Sequence, residues 1–208
     1  MTDDADLAGL RLLGERLCLN FANTMDPRQG DHPREFLTGY PDLVTWSVRA
    51  GAVDRPTAAE LAAAAERDPD AAETAYAEAI RLREALYEVF SAVAAGTAVP
   101  AVALATVNAA AAAAFAHARV EPDGTGYRWG WRSDPAALDR MLWPVLRSAV
   151  DLLTSAELAR VKECPGLGDC GWLFLDTSKN GSRRWCSMEG CGNRAKGRRH
   201  YQRTRAHS

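Results

Sequence analysis

Four of the chain's five cysteines, Cys164, Cys170, Cys186 and Cys191, fall within 28 consecutive positions, at intervals of five, fifteen and four residues. Zinc takes four soft or borderline ligands at about 2.0–2.3 Å in a tetrahedron. Two close pairs joined by a spacer long enough to bring the second back to the first meet that requirement. Between the pairs, Trp172-Leu173-Phe174-Leu175 supplies a strand-like run and Lys179-Asn180-Gly181-Ser182 a turn, after which Arg184-Trp185 returns to the second pair. The intervals are wider than the usual two-to-four-residue knuckle, and a disulfide pair or unligated thiols are the alternatives. A segment this short cannot bury enough apolar surface to fold alone, so a metal would contribute folding energy. Four thiolates close the coordination sphere. The expected cofactor is therefore one structural Zn2+, not a catalytic one.

The same end of the chain is strongly basic. From Lys162 onward there are ten Lys and Arg against four Asp and Glu, a formal +6, whereas the preceding 161 residues carry fifteen against twenty-three, a formal −8. A net charge of −2 conceals this segregation, and a local basic patch is what a polyanion meets. After Cys191 the sequence reads as a helix with Asn193 as N-cap. On that helix Lys196, Arg199 and Arg203 share one side and Arg194, Arg198 and Arg205 a neighbouring one. Its N-terminal N–H groups, with Arg194 and Lys196, suit a phosphate, and Arg183 and Arg184 enter from the preceding turn. The candidate nucleic-acid contacts are Arg183, Arg184, Arg194, Lys196, Arg198, Arg199 and Arg203, with DNA as the expected partner. RNA, or an acidic protein partner for a zinc-stabilised interaction module, are the alternatives.

The other three-quarters of the chain reads as helical. An apolar content of 47 % with 25 % charged residues is that of a globular protein. No apolar stretch approaches the roughly 18 residues of a membrane span, and the acidic start Met1-Thr2-Asp3-Asp4-Ala5-Asp6 lacks the basic region of a secretory signal. A cytoplasmic location without membrane contact is expected. Residues 1–10 are expected to be disordered. Helical spacing predicts helices over 12–25, 41–50, 57–67 (Thr57 as N-cap, Glu60 completing a capping box), 71–95 and an alanine-rich run to 116. Residues 117–121 and 127–131 read as a hairpin about a Gly-bearing turn, and Ser133-Asp134-Pro135 as the start of a long helix, kinked at Pro144, that delivers the chain to Cys164.

Isolated polar and reactive side chains in this part have bland explanations. Cys18 lies in an apolar stretch and reads as a small buried hydrophobe. His117 reads as structural. Asn20 and Asn23 are poor interior helix residues; either Asn23 or Thr24 satisfies the helix end or a neighbouring loop with a buried hydrogen bond, the favoured reading, or Asn20, Asn23 and Thr24 line a small-ligand pocket. There is no phosphate loop, metal-hydrolase helix motif or nucleophile–base arrangement, so enzymatic activity is not expected.

At Cys191-Gly192-Asn193-Arg194 the chain resembles the CGNR zinc-finger family. The likeness extends over Cys170-Gly171-Trp172-Leu173-Phe174-Leu175-Asp176-Thr177-Ser178, Arg183-Arg184-Trp185-Cys186-Ser187-Met188 and Ala195-Lys196. Leu17-Cys18-Leu19-Asn20-Phe21-Ala22-Asn23-Thr24 similarly resembles the opening of the ABATE domain, which usually precedes this finger; Asn20 stands where an Asp is expected, so no carboxylate occupies that place. The resemblance implies a stress-induced transcription regulator with a helical N-terminal domain and a DNA-binding finger. The expected fold is mainly α: a helical ABATE-like domain over 11–161 with one small β-hairpin, then a small α+β CGNR-type zinc finger over 162–208, hairpin followed by basic helix in a treble-clef-like arrangement. Since dimeric regulators read paired half-sites, a homodimer is a reasonable assembly.

Overall fold

Helix α4, Pro69–Ala95, is the longest element, and most of the molecule packs around it. Asp68 caps its start by accepting from the Ala71 N–H at 3.0 Å, Pro69 occupies the first position, where no N–H is required, and Gly96 ends it in the left-handed conformation at φ 67°. Leu82, Leu86, Val89 and Phe90 lie on its buried side. The computed structural model describes residues 7, 9–30, 32–132 and 134–205, with His200 as backbone only.

Around α4 are α1 (Leu17–Ala22), α2 (Tyr40–Arg49), α3 (Arg55–Arg67), α5 (Ala101–Phe115) and α6 (Leu142–Leu153). Short strands β1 (Met25–Asp26) and β2 (Arg34–Glu35) pair antiparallel, Met25 opposite Glu35 and Asp26 opposite Arg34, where the sequence reading placed no strand. Strands β3 (Ala118–Asp123) and β4 (Gly126–Trp131) form the expected hairpin, Ala118 opposite Trp131 and Asp123 opposite Gly126. The chain is mainly helical with small hairpins, as expected.

Several boundaries differ from the sequence reading. Leu7 and Leu10 are buried, so ordered packing begins inside the stretch 1–10. Helix α1 is less than half the predicted length: Glu15 sits at φ 64°, outside the helical region, and Arg16 precedes the first turn. Helix α3 is capped by Asp54, which accepts from Thr57 N–H at 2.9 Å, not by Thr57. The long helix expected from Pro135 starts only at Leu142. Pro144 therefore lies in the first turn of α6, where its missing N–H costs nothing, and no kink is needed.

The largest difference concerns the approach to the cysteines. The chain leaves α6 through a 3-10 turn (Ala156–Arg160) into strand β5 (Val161–Glu163), which pairs antiparallel with β6 (Leu173–Leu175). The finger's hairpin is thus formed by residues 161–163 and 173–175, not by 172–175 with 184–185. The buried side chains run without interruption from Leu7 to Cys191, so the finger and the helices share one core.

Candidate metal centre and basic surface

All four cysteines are buried and free of disulfides, and their Sγ atoms lie within 4.8 Å of one another. Cys170 and Cys186 are 3.7 Å apart, as are Cys186 and Cys191. A tetrahedron with a metal–sulfur distance of about 2.3 Å has an edge of about 3.8 Å, whereas a disulfide bond is about 2.05 Å. The spacing is that of ligands around an ion. Cys164 is pushed down by hydrogen bonds from Cys170 and Cys186, while Cys170 and Cys186 are pushed up, first by the same interaction with Cys164 and also by burial. A divalent cation at the centre of the four sulfurs would stabilise every thiolate at once. Four thiolates with no open position form a structural zinc site.

Local structure brings the pairs together. Cys164 N–H donates to Trp172 O at 2.8 Å and Gly171 N–H to Cys164 O at 3.0 Å, closing the loop between the first two ligands. Asp176, wholly buried, organises the return. It accepts from Lys162 Nζ at 2.6 Å, Ser178 N–H at 2.9 Å and Arg183 N–H at 3.0 Å, bending residues 176–183 back toward Cys186. Burial opposes its charge, but these donors outweigh it and hold the carboxyl well below the usual range. Ser187 Oγ then accepts from Gly190 N–H at 3.2 Å at the start of the wide turn Met188–Gly192, which carries Cys191.

The Cys-Gly-Asn-Arg run acquires physical content here. Cys191 is a ligand. A Cβ on Gly192 would come within 2.9 Å of Met188 Sδ. Asn193 is the first residue of helix α7 (Asn193–Arg205). Arg194 Nη2 donates to Cys191 Sγ at 3.1 Å and its Nη1 lies 3.8 Å from Asp169 Oδ2, so its charge supports the thiolate cluster. That hydrogen bond is also the first cause of its raised pKa.

The model of the ABATE family, described as "Putative stress-induced transcription regulator", matches residues 15–156, and that of the CGNR zinc finger matches residues 160–204. The chain belongs to the ABATE family. Comparison with curated proteins gave no match. In this ABATE protein the finger follows the family domain with almost no spacer.

The predicted basic residues fall into two groups. Arg183 is used within the fold: it donates to Cys186 O at 2.6 Å, Trp185 O at 3.1 Å, Glu15 Oε1 at 3.1 Å and Leu13 O at 3.3 Å, and lies over the Phe174 ring. Arg194 serves the cluster. Arg184, Lys196, Arg198, Arg199 and Arg203, in contrast, are on the solvent side of the finger, Arg184 and the helix residues all exposed. Within α7, Ala195 is the only buried side chain among those described.

The side chains of Asn20, Asn23 and Thr24 near α1 all make hydrogen bonds within the protein. Asn23 Nδ2 donates to Leu173 O at 2.8 Å and its Oδ1 accepts from Leu173 N–H at 2.9 Å, so one side chain acts as a short strand against the outer edge of β6. Leu175 N–H completes that edge by donating to Gly14 O at 3.1 Å, and Asn20 Oδ1 holds Gly14 N–H at 2.8 Å. Thr24 Oγ1 donates to Phe21 O at 2.9 Å and accepts from Arg83. Cys18 is fully buried, and that burial pushes its thiol up to about 12. His117 stacks on Trp143 at 4.2 Å.

Sequence reading missed the buried arginines. Arg83, 1 % exposed, forms a two-pronged pair with Glu35 at 2.6 and 2.7 Å, and Arg28 pairs with Glu84 at 2.6 Å. On a helix wheel Arg83 falls beside Leu82 and Leu86, which was the available signal; Arg28 sits in a loop and offered none. No helix among the described residues is long and apolar enough to cross a membrane.

Proposed function

We propose that the protein is a DNA-binding transcription regulator of the stress-response type, acting in the cytoplasm through its zinc finger and without catalytic activity of its own. The observation that carries this is the disposition of α7. The zinc cluster grips only its first turn, while Lys196, Arg198 and Arg199 project from a helix of 13 residues, about 20 Å long, that buries almost nothing. A helix polar on all sides gains little from its own fold and suits a partner, and a major groove about 12 Å wide admits it. Arg184, Lys196, Arg198, Arg199 and Arg203 would contact phosphates, with Arg183 and Arg194 holding the platform.

Duplex binding measured by fluorescence anisotropy across a salt series tests the assignment. Replacing Arg198 and Arg199 with Ala should weaken binding and flatten the slope of log K against log salt by about 0.9 for each phosphate no longer neutralised. Unchanged affinity and slope in the double variant would remove these residues from the interface. A second reading rests on Tyr201, which is 60 % exposed beneath the Arg205 guanidinium at 5.3 Å: an aromatic on a basic helix can stack on an unpaired base. Tighter binding to single-stranded RNA than to duplex would favour it. Absence of nucleic-acid affinity at low salt would favour a protein-interaction module. Light scattering with and without a two-site duplex would show whether the protein acts as a homodimer.

A further inference from the structure

A second feature, far in sequence from the finger, points to a small ligand. The β3–β4 hairpin carries Trp129 and Trp131 on one strand, and the first turn of α6 carries Trp143. Trp131 lies 5.9 Å from Trp129 and 5.7 Å from Trp143 between ring centroids. Together with the turn between α2 and α3 they line a cleft of about 640 Å³, within the range of small-molecule sites.

Arg140, on the turn just before α6, lines the same cleft and is only 7 % exposed. Its Nη1 donates to Glu60 Oε2 at 2.9 Å. Its Nε and Nη2 are buried with no hydrogen-bond partner among the described residues. These two nitrogens form one edge of the guanidinium, the fork that matches a carboxylate in two-pronged geometry. Leaving such donors unpaired is costly, and the neighbouring protein acids are committed elsewhere. Asp54 caps α3, Glu121 pairs with Arg119 and Arg128, and Asp139 accepts from Trp143 Nε1 at 3.1 Å.

We propose that this cleft binds a small carboxylate with a flat aromatic body, its carboxylate on the Nε–Nη2 edge of Arg140 and its ring against Trp131. Both nitrogens are covered from solvent, so binding includes a swing of the Arg140 side chain toward the cleft. The site is independent of the reading of α7 as a DNA contact.

Isothermal titration calorimetry on the zinc-loaded full chain, with benzoate, salicylate and indole-3-acetate as probes and the corresponding amides as neutral counterparts, tests it. At least one acid should bind, with its amide weaker by about tenfold or more. Arg140→Gln should lose about tenfold or more of that affinity while keeping the far-UV circular dichroism of the parent. Trp131→Ala, at the cleft wall, should weaken the same acid. The proposal is overturned if no acid binds, if amides bind as well as acids, or if a folded Arg140→Gln binds like the parent. Should Arg140→Gln fail to fold, the acid–amide comparison and Trp131→Ala decide between the same outcomes.

Discussion

Asn23 shows how much one side chain can carry. It is buried, and both ends of its amide satisfy the backbone of Leu173, so it joins α1 to the metal-bearing hairpin. Asn23→Ala removes two hydrogen bonds and strands a buried N–H and C=O, a loss of about 2–4 kcal/mol. Urea unfolding at constant zinc should show that drop. A change within the experimental error would mean that the pairing is dispensable. Arg194 acts at the same scale with a different readout. Arg194→Ala should raise the zinc dissociation constant by roughly 10–100-fold, as removal of a group supporting a metal ligand typically does, measured by competition with a chromophoric chelator. A zinc affinity equal to that of the parent would remove Arg194 from the support of the cluster.

Among the elements, α7 depends most on the metal. Its mean composition is polar, its one described buried side chain is Ala195, and its first turn is held by Cys191 and Arg194. Isolated helices of this length are marginal in water. Chelation should therefore melt α7 before the longer helices, visible as partial loss of the far-UV helical signal. Iodoacetamide applied at the same time should modify Cys164, Cys170, Cys186 and Cys191 but spare Cys18, whose thiol is buried in the helical core and shifted up to about 12. Early labelling of Cys18 would show that chelation opens the whole molecule in one step. The end of α4 at Ala95 was legible in the sequence because Gly96 acts through local geometry, whereas the start of α3 was read three residues late, at Thr57 and not at Asp54. The start of α6 was not legible, because nothing local distinguishes the turns of 135–141 from a first helical turn with Pro135 at its head.

At the scale of the whole molecule, the two family segments form one structure. Arg28 N–H donates to Cys170 O at 2.8 Å, Gln29 N–H to Asp169 O at 3.1 Å, Trp172 Nε1 to Met25 O at 2.9 Å and Tyr87 OH to Gly171 O at 3.0 Å. Gly171, at φ 66°, fits only without a side chain, since a Cβ would lie 2.8 Å from Arg28 Cβ and 2.9 Å from Tyr87 OH. Structural zinc contributes roughly 10–16 kcal/mol in small fingers, as much as the net stability of an ordinary domain, about 5–15 kcal/mol. Through these hydrogen bonds and close approaches that energy reaches the helices. Calorimetric scans should show the thermal transition of the helical part moving to lower temperature when zinc is removed. A helical transition that does not move would establish two independent units.

The cysteine spacing, the charge segregation and the Cys191-Gly192-Asn193-Arg194 run were enough to indicate a zinc site, its four ligands and a basic helix behind it, because ligand number and helical period are properties of short stretches of chain. The periodic apolar faces similarly indicated a mainly helical body. Which arginines face solvent could not be read from the chain: Arg183 and Arg198 look alike in sequence, yet only packing against Glu15, Leu13 and Phe174 turns Arg183 inward. Tertiary structure also decided the partners of β6: β5 takes one edge and Asn23 and Gly14 the other, which leaves no edge for the 184–185 segment. The unpaired edge of Arg140 exists only in three dimensions for the same reason: it depends on which acids, distant in the chain, have already been taken by other partners.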